Sequence, residues 1–177
     1  MPIKESFKTD IEEGQRLRGW ITNAYAQIEF LLGDLILKCR TFPEYVSDTE
    51  TFTHSAPKRA RKVRRMLKKG GPLDPFSTEL TSIIDRFEER HDTRNLLAHG
   101  FCTYRHTPAG DADLQFRKFH RQDGRDEELI RCFRLPDLVA EKDSFVALSD
   151  EALNLFMRMH KHFSWTARPD GEQQGRA

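Results

Sequence analysis

From Asp10 to about Cys39 the apolar residues Ile11, Leu17, Trp20, Ile21, Ala24, Ile28, Leu31, Leu32, Leu35 and Ile36 recur three and four apart. That spacing predicts one face of a long helix. Thirty helical residues span ~45 Å, and Pro43 marks the end of the run. Residues 41–57 are rich in Thr, Ser and Pro and predict a loop. Pro57 suits the first turn of a short second helix, which Gly70-Gly71-Pro72 stops. A third helix is expected from near Pro75, with Leu80, Ile83, Ile84, Phe87, His91, Arg94 and Ala98 along one side. Gly100 is its expected left-handed terminator.

The period then changes. Phe101–His106, Leu114–His120 and Glu128–Arg134 are short aromatic or β-branched runs, separated by turn signals at Pro108-Ala109-Gly110-Asp111 and Asp123-Gly124. They predict a three-stranded antiparallel meander. Pro136 opens a last helix whose apolar side is Leu138, Val139, Phe145, Leu148, Leu153, Phe156, Met159, His160 and Phe163. Beyond Thr166 no apolar period remains, and residues 166–177 are expected to be a disordered tail. The expected fold is mainly α: an up-down helical bundle of about four helices. A small β-meander, at about 101–134, is inserted between the third and fourth of them, in a single domain over 1–165.

Composition sharpens this picture in two places. Among the 177 residues no apolar stretch approaches the ~18 residues of a membrane span, and residues 1–10 lack a signal-peptide core, so a cytoplasmic location without membrane attachment is expected. Cys39, Cys102 and Cys132 are odd in number and lack metal-ligand spacing, which predicts reduced thiols. The net charge of +1 hides an asymmetry. Lys58, Arg59, Arg61, Lys62, Arg64, Arg65, Lys68 and Lys69 crowd one short helix without an acid, and the rest of the chain carries −7. Around the apolar line Ala60, Val63 and Leu67, these cations suit a polyanion such as nucleic acid. A merely solvated charge run is the alternative. Membrane binding is disfavoured because the line has no Trp or Phe to insert.

Candidate chemistry concentrates in Arg94-Asn95-Leu96-Leu97-Ala98-His99-Gly100. It joins a fixed cation, an amide and an imidazole, the side-chain type that changes charge nearest neutral pH. On an ideal helix Arg94 and His99 are ~140° apart, so they meet only if the last turn loosens, which Gly100 is expected to allow. Asn95 and His99, four apart, share a face. Either the pair performs chemistry, or Arg94 pairs with Glu88, Glu89 or Asp92 while His99 serves the helix terminus.

The Arg-x4-His spacing at a helix end, with Asn after the Arg and Gly after the His, resembles the motif of the HEPN superfamily. These are small helical-bundle proteins, many of them metal-independent ribonucleases of toxin–antitoxin and phage-defence systems. The likeness extends to the order long helix, short helix, motif helix, final helix, while the β-meander departs from it. The resemblance implies that His99 acts as general acid or base at the ribose 2′-hydroxyl and the leaving oxygen, Arg94 stabilises charge on the pentavalent phosphate, and Asn95 positions one or both. It implies 2′,3′-cyclic phosphate products, no cofactor, an RNA substrate, a homodimer with a composite cleft, and an antitoxin or other protein partner. A non-catalytic dimeric interaction or nucleic-acid-binding module of the same family is the alternative.

Glu29 interrupts the apolar line Tyr25, Leu32, Ile36, and a carboxylate there is costly to bury without a cation. Arg94 is the expected partner, with an edge position in water as the alternative. Asp34 is expected to pair with Lys38. Phe101, Tyr104, Phe116, Phe119 and Phe133 either offer base-stacking platforms or pack the meander on the helices. His160 and His162 point to different sides and predict no metal site.

Overall fold

The computed structural model describes residues 5–106, 112–122 and 125–165. The expected turns at 108–111 and 123–124 and the expected disordered tail at 166–177 lie outside the described residues. The described chain is mainly helical, with a three-stranded antiparallel sheet. Its helices are α1 (Glu5–Lys38), α2 (Val46–Thr49), α3 (Ala56–Lys69), α4 (Ser77–Glu89), α5 (His91–His99) and α6 (Leu135–His162). The strands β1 (Phe101–His106), β2 (Ala112–Gln122) and β3 (Arg125–Phe133) lie between α5 and α6.

The 3.6-residue period of α1 buries Leu17, Ile21, Ala24, Tyr25, Ile28, Leu32, Leu35 and Ile36. Trp20, which the spacing put on the same face, is 51% exposed at its edge. The long partner of α1 is α6, which buries Leu138, Phe145, Leu148, Ala152, Leu155, Phe156 and Met159. Each large side chain removed from water contributes about 1.5–3 kcal/mol. The Ser149 hydroxyl donates to Gln27 Oε1 at 2.6 Å, so the polar group buried in this seam is satisfied. Val139 and Leu153, expected on the apolar side, point outward instead.

Two expectations fail for identifiable reasons. The single helix expected from Pro75 to Gly100 is broken at Arg90, whose φ of −91° and ψ of 0° leave the helical path. No Gly or Pro marks the break. The Arg90 guanidinium donates to Arg86 O one turn back and to Ser144 Oγ of α6, and the tertiary bond to α6 anchors the bend. The segment 41–57 is not all loop either. It contains two 3-10 turns (Cys39–Thr41, the first, overlaps its start) and α2. Tyr45 is fully buried there; its hydroxyl donates to Gly70 O and accepts from Leu73 N. Turn-forming composition concealed a tyrosine anchor and a buried acid, Asp48.

The sheet has order β1-β2-β3. Phe101 lies opposite Arg117, and Leu114 opposite both Tyr104 and Phe133. Period-two alternation sends Leu114 and Phe116 inward, where both are buried. Gly14 of α1 permits this approach, since a Cβ there would meet Leu114 Cδ2 at 2.5 Å. The sheet is thereby seated on α1 beside the C-terminus of α5.

Candidate functional site

The end of α5 is held by a side chain from another helix. Arg18 of α1 donates through Nε to Leu97 O and through Nη2 to Ala98 O (3.1 Å) and Gly100 O (3.4 Å). Its guanidinium lies over the Phe116 ring, 5.7 Å from the centroid. A cation at a helix C-terminus satisfies orphan carbonyls and opposes the helix dipole. Arg18 therefore fixes where His99 emerges. The role of Arg18 is hidden in the sequence, because an arginine at the margin of an apolar stripe looks like any solvated charge.

Gly100 does not play the expected left-handed part. Its φ of −75° and ψ of 142° are extended backbone, open to any residue. What requires glycine is proximity: a Cβ would come within 2.4 Å of Leu96 O. Helix α5 consequently stays regular through His99, and the last turn does not swing His99 toward Arg94. An ideal helix keeps them about 140° and 7.5 Å of rise apart, and no contact joins them among the described residues.

Arg94 turns toward α1. Its Nη2 lies 3.7 Å from Glu29 Oε2, and its guanidinium sits 4.8 Å from the Tyr25 ring centroid. Glu29 thus finds the expected cation, and a second one: Arg59 Nη1 of α3 is 3.5 Å from Glu29 Oε1 and donates to Glu29 O at 3.0 Å. Among the described residues none of the alternative acids meets it: Glu88 pairs with Arg64 and Glu89 with Arg90. Arg94 Nε is buried without a hydrogen-bond acceptor among the described residues. The tyrosine π-face beneath the guanidinium offsets part of that cost.

A relay runs from this guanidinium to His91, which the sequence pattern marks only as part of a helix side. Arg94 Nη1 donates to Asn95 Oδ1 at 3.1 Å. The Asn95 amide therefore turns its Nδ2 donor to His91 Nε2, 2.8 Å away. That nitrogen must accept, so neutral His91 carries its proton on Nδ1 and donates it to Tyr25 Oη at 2.7 Å. Burial lowers the His91 pKa from its usual 6.5; Asp92 and Glu29 oppose the shift, and Arg94 and Lys118 add to it. Burial likewise pushes the Tyr25 phenol up, keeping it protonated. His91, Asn95 and His99 are spaced by four, so they form one line along α5. The four-residue spacing from His91 to Asn95 was the available signal.

His99 ends that line in the open. It is exposed and has no hydrogen-bond or ion-pair partner among the described residues. With Phe101, Arg117, Lys118, Phe119 and Glu128 it lines a cleft of about 590 Å³. Register explains the cleft. β1 begins at Phe101 opposite Arg117, whereas β2 continues to Gln122 against β3 alone. The end of α5 lies beside the part of β2 that β1 leaves uncovered. Arg117 and Glu128 pair at 2.7 Å across the strands. Of the meander aromatics, Phe116 is buried, Tyr104 and Phe133 pack against the core, and Phe101 and Phe119 are 70% and 78% exposed.

The basic helix α3 divides into two groups. Ala60, Val63 and Met66 are buried, while Leu67 of the expected line is only partly so. Arg59 is tied to Glu29, and Lys62 donates to Thr51 O and Thr51 Oγ1. Arg64 bridges to Asp85 and Glu88 of α4 at 2.5 and 2.6 Å. Arg65 and Lys69 meet Asp48 of α2 at 2.8 and 2.5 Å. Burial would raise the Asp48 pKa, but hydrogen bonds from Lys69 and Arg65 outweigh it and hold the carboxyl below its usual range. Lys58, Arg61 and Lys68 are exposed and have no acidic partner among the described residues. The acids absent from α3 itself are supplied by its neighbours.

Asp34 pairs with Lys38 at 3.6 Å and meets His160 at 3.3 Å. Among the described residues no cluster of His, Cys, Asp or Glu has the geometry to hold a metal ion, and no helix is long and apolar enough to cross a membrane. The three cysteines are free, and burial pushes the Cys39 thiol up to about 12. Comparison with protein-family models, with curated proteins and with solved structures finds no match to this chain.

Proposed function

We propose that this chain is a HEPN-like, metal-independent endoribonuclease of the kind found in toxin–antitoxin and phage-defence systems. Under this proposal α1, α3, the α4–α5 pair and α6 are the four members of an up-down bundle, and the sheet is an insert. The observation that carries the reading is His99: an imidazole exposed and without a partner among the described residues, beside Lys118 and the Arg117–Glu128 pair, two turns along one helix line from a histidine that orients Asn95. In the proposed reaction His99 takes the proton of a ribose 2′-hydroxyl, whose oxygen attacks phosphorus. The bond from phosphorus to the 5′ oxygen breaks, leaving a 2′,3′-cyclic phosphate and, after proton return, a 5′-hydroxyl. Arg94 stabilises the charge of the pentavalent phosphate, and Glu29 holds the guanidinium in place. DNA lacks the nucleophile and should remain intact.

Within one chain Arg94 and His99 face different ways, so the working site takes Arg94 from one copy and His99 from a second, across a homodimer. Mixing test chains decides this. Arg94→Ala and His99→Ala proteins, each inactive on RNA in chelator, should together recover about a quarter of wild-type activity, through mixed dimers with one intact site of two. No recovery from the mixture would remove the composite site.

A second reading, a non-catalytic dimeric or nucleic-acid-binding module, is favoured by one observation. The partners of Arg94 (Glu29, Asn95 and the Tyr25 ring) are all internal. In that case Arg94→Ala loses stability, and wild type leaves RNA uncut in chelator.

A further inference from the structure

We propose that the cleft between His99 and the open end of the sheet is a stacking site for an unpaired nucleotide, so that the RNA taken is single-stranded. This deepens the ribonuclease reading and rests on it for the choice of RNA, but its geometry stands apart from Arg94.

Phe101 and Phe119 are 70% and 78% exposed, which is a poor use of phenylalanine in a chain that buries Phe76, Phe87, Phe116, Phe145 and Phe156. They share one face of the sheet. Phe101 lies opposite Arg117, and Phe119 is two residues further along β2. Diagonal neighbours of this kind are about 7–8 Å apart, roughly twice the 3.4 Å rise between stacked nucleotides of one strand. One base plane fits between two such rings. A base inside a duplex is already stacked on both faces and cannot enter.

The remaining walls fit the rest of a nucleotide. Lys118 and His99 border the cleft, and the Arg117 guanidinium is held against Glu128, which fixes its plane on the same face. The cations match a phosphate and the aromatic rings match a base. An apolar protein partner would instead leave Lys118 and His99 desolvated without counter-charge. Stacking tolerates any base, because each has a π-face. The site therefore selects strandedness with little sequence preference, and it sets the ribose beside the imidazole of the same chain.

The test uses the full chain and equilibrium binding by fluorescence anisotropy. The probes are labelled ten-nucleotide single strands of RNA and of DNA, the DNA being uncleavable, and the same sequence as a duplex. Wild type should prefer the single strands. Phe101→Ala and Phe119→Ala should each weaken single-strand binding ~5–150-fold, the equivalent of one lost base stack, and leave duplex binding and thermal melting unchanged. Phe119→Trp should restore the loss. Equal affinity for single strand and duplex, no single-strand binding by wild type, or wild-type affinity in the Phe101→Ala/Phe119→Ala protein would overturn the site. So would loss of self-association in Phe119→Ala with RNA binding intact, because the face would then belong to a second copy. If wild type binds single strands as expected and cuts none, the ribonuclease reading fails while the stacking site stands. If the double variant cuts RNA at the wild-type rate, the stacking site fails alone.

Discussion

The two ends of the Arg-x4-His motif occupy opposite environments only about 1.4 turns apart on α5. Arg94 is turned inward and engaged: carboxylate, amide and aromatic ring all meet its guanidinium, with only Nε left without an acceptor among the described residues. His99 is turned outward and has no partner among the described residues, although the helix end that carries it is clamped by Arg18. Under the proposed ribonuclease reading, the contrast separates a group fixed by the fold from a group left free to react. A cation that is oriented once, at folding, costs no reorganisation at the moment of reaction. An imidazole that must gain and lose a proton is better left free of a fixed partner, and only its backbone is held.

Removing the shared carboxylate should break the inward side most severely. Glu29→Ala leaves both Arg94 and Arg59 without their acid, and urea denaturation should show a loss of about 1–3 kcal/mol. Partial exposure keeps this below the 3–5 kcal/mol of a fully buried pair. A loss under 0.5 kcal/mol would mean that the two guanidinium groups hold themselves by other contacts. Next in size is Arg18→Ala, which uncovers three carbonyl groups at the end of α5 and should cost about 1–2 kcal/mol. Amide exchange at Phe101 should rise with it; unchanged exchange would deny Arg18 its clamping role.

Smaller effects refine the relay. Tyr25→Phe deletes the acceptor of the His91 proton and should cost about 0.5–1.5 kcal/mol. The pH response has a definite sign. The folded-state pKa of His91 lies below its unfolded value near 6.5, so the unfolded chain binds more protons in that window. The stability contributed by neutral His91 is complete above 6.5 and is lost as pH falls through the folded pKa. Protonation would also set Nε2–H against the Asn95 amide donor and turn that amide away from Arg94. His91→Gln should flatten the fall of the urea midpoint between pH 7 and 5; an identical slope would place the titration elsewhere. Smallest of all, Arg61→Ala and Lys68→Ala, at exposed positions without an acidic partner among the described residues, should change stability by less than about 0.5 kcal/mol. Arg64→Ala, which breaks the bridges to Asp85 and Glu88, should exceed both.

Much of the inward side was legible in the sequence. A carboxylate at position 29 within an apolar stripe demands a cation, and Arg94 answered that demand. The helices and strands followed from periods of 3.6 and 2, which Tyr25, Ile28 and Leu32 on one side and Leu114 and Phe116 on the other obey in the fold. The bend at Arg90 was hidden because it is anchored by a bond to Ser144 of α6, not by a breaker residue. Gly100 was misread because glycine serves close approach as well as positive φ, and only the Leu96 carbonyl tells which. Density of charge in α3 suggested a free basic stripe; the acids that engage it, Asp48, Asp85, Glu88 and Glu29, come from three other helices. The cleft at His99 depends on the offset between β1 and β2, which no local pattern encodes.

The most direct measurement is cleavage of a single-stranded RNA by purified protein in chelator, comparing wild type with His99→Ala. An exposed histidine without partners among the described residues can be truncated with little effect on folding, so melting temperature should be unchanged while the rate falls by ~10²–10⁴, with 2′,3′-cyclic phosphate ends on the wild-type products. Equal rates in the two proteins, or no cleavage by wild type, would contradict the assignment of His99 as the catalytic group.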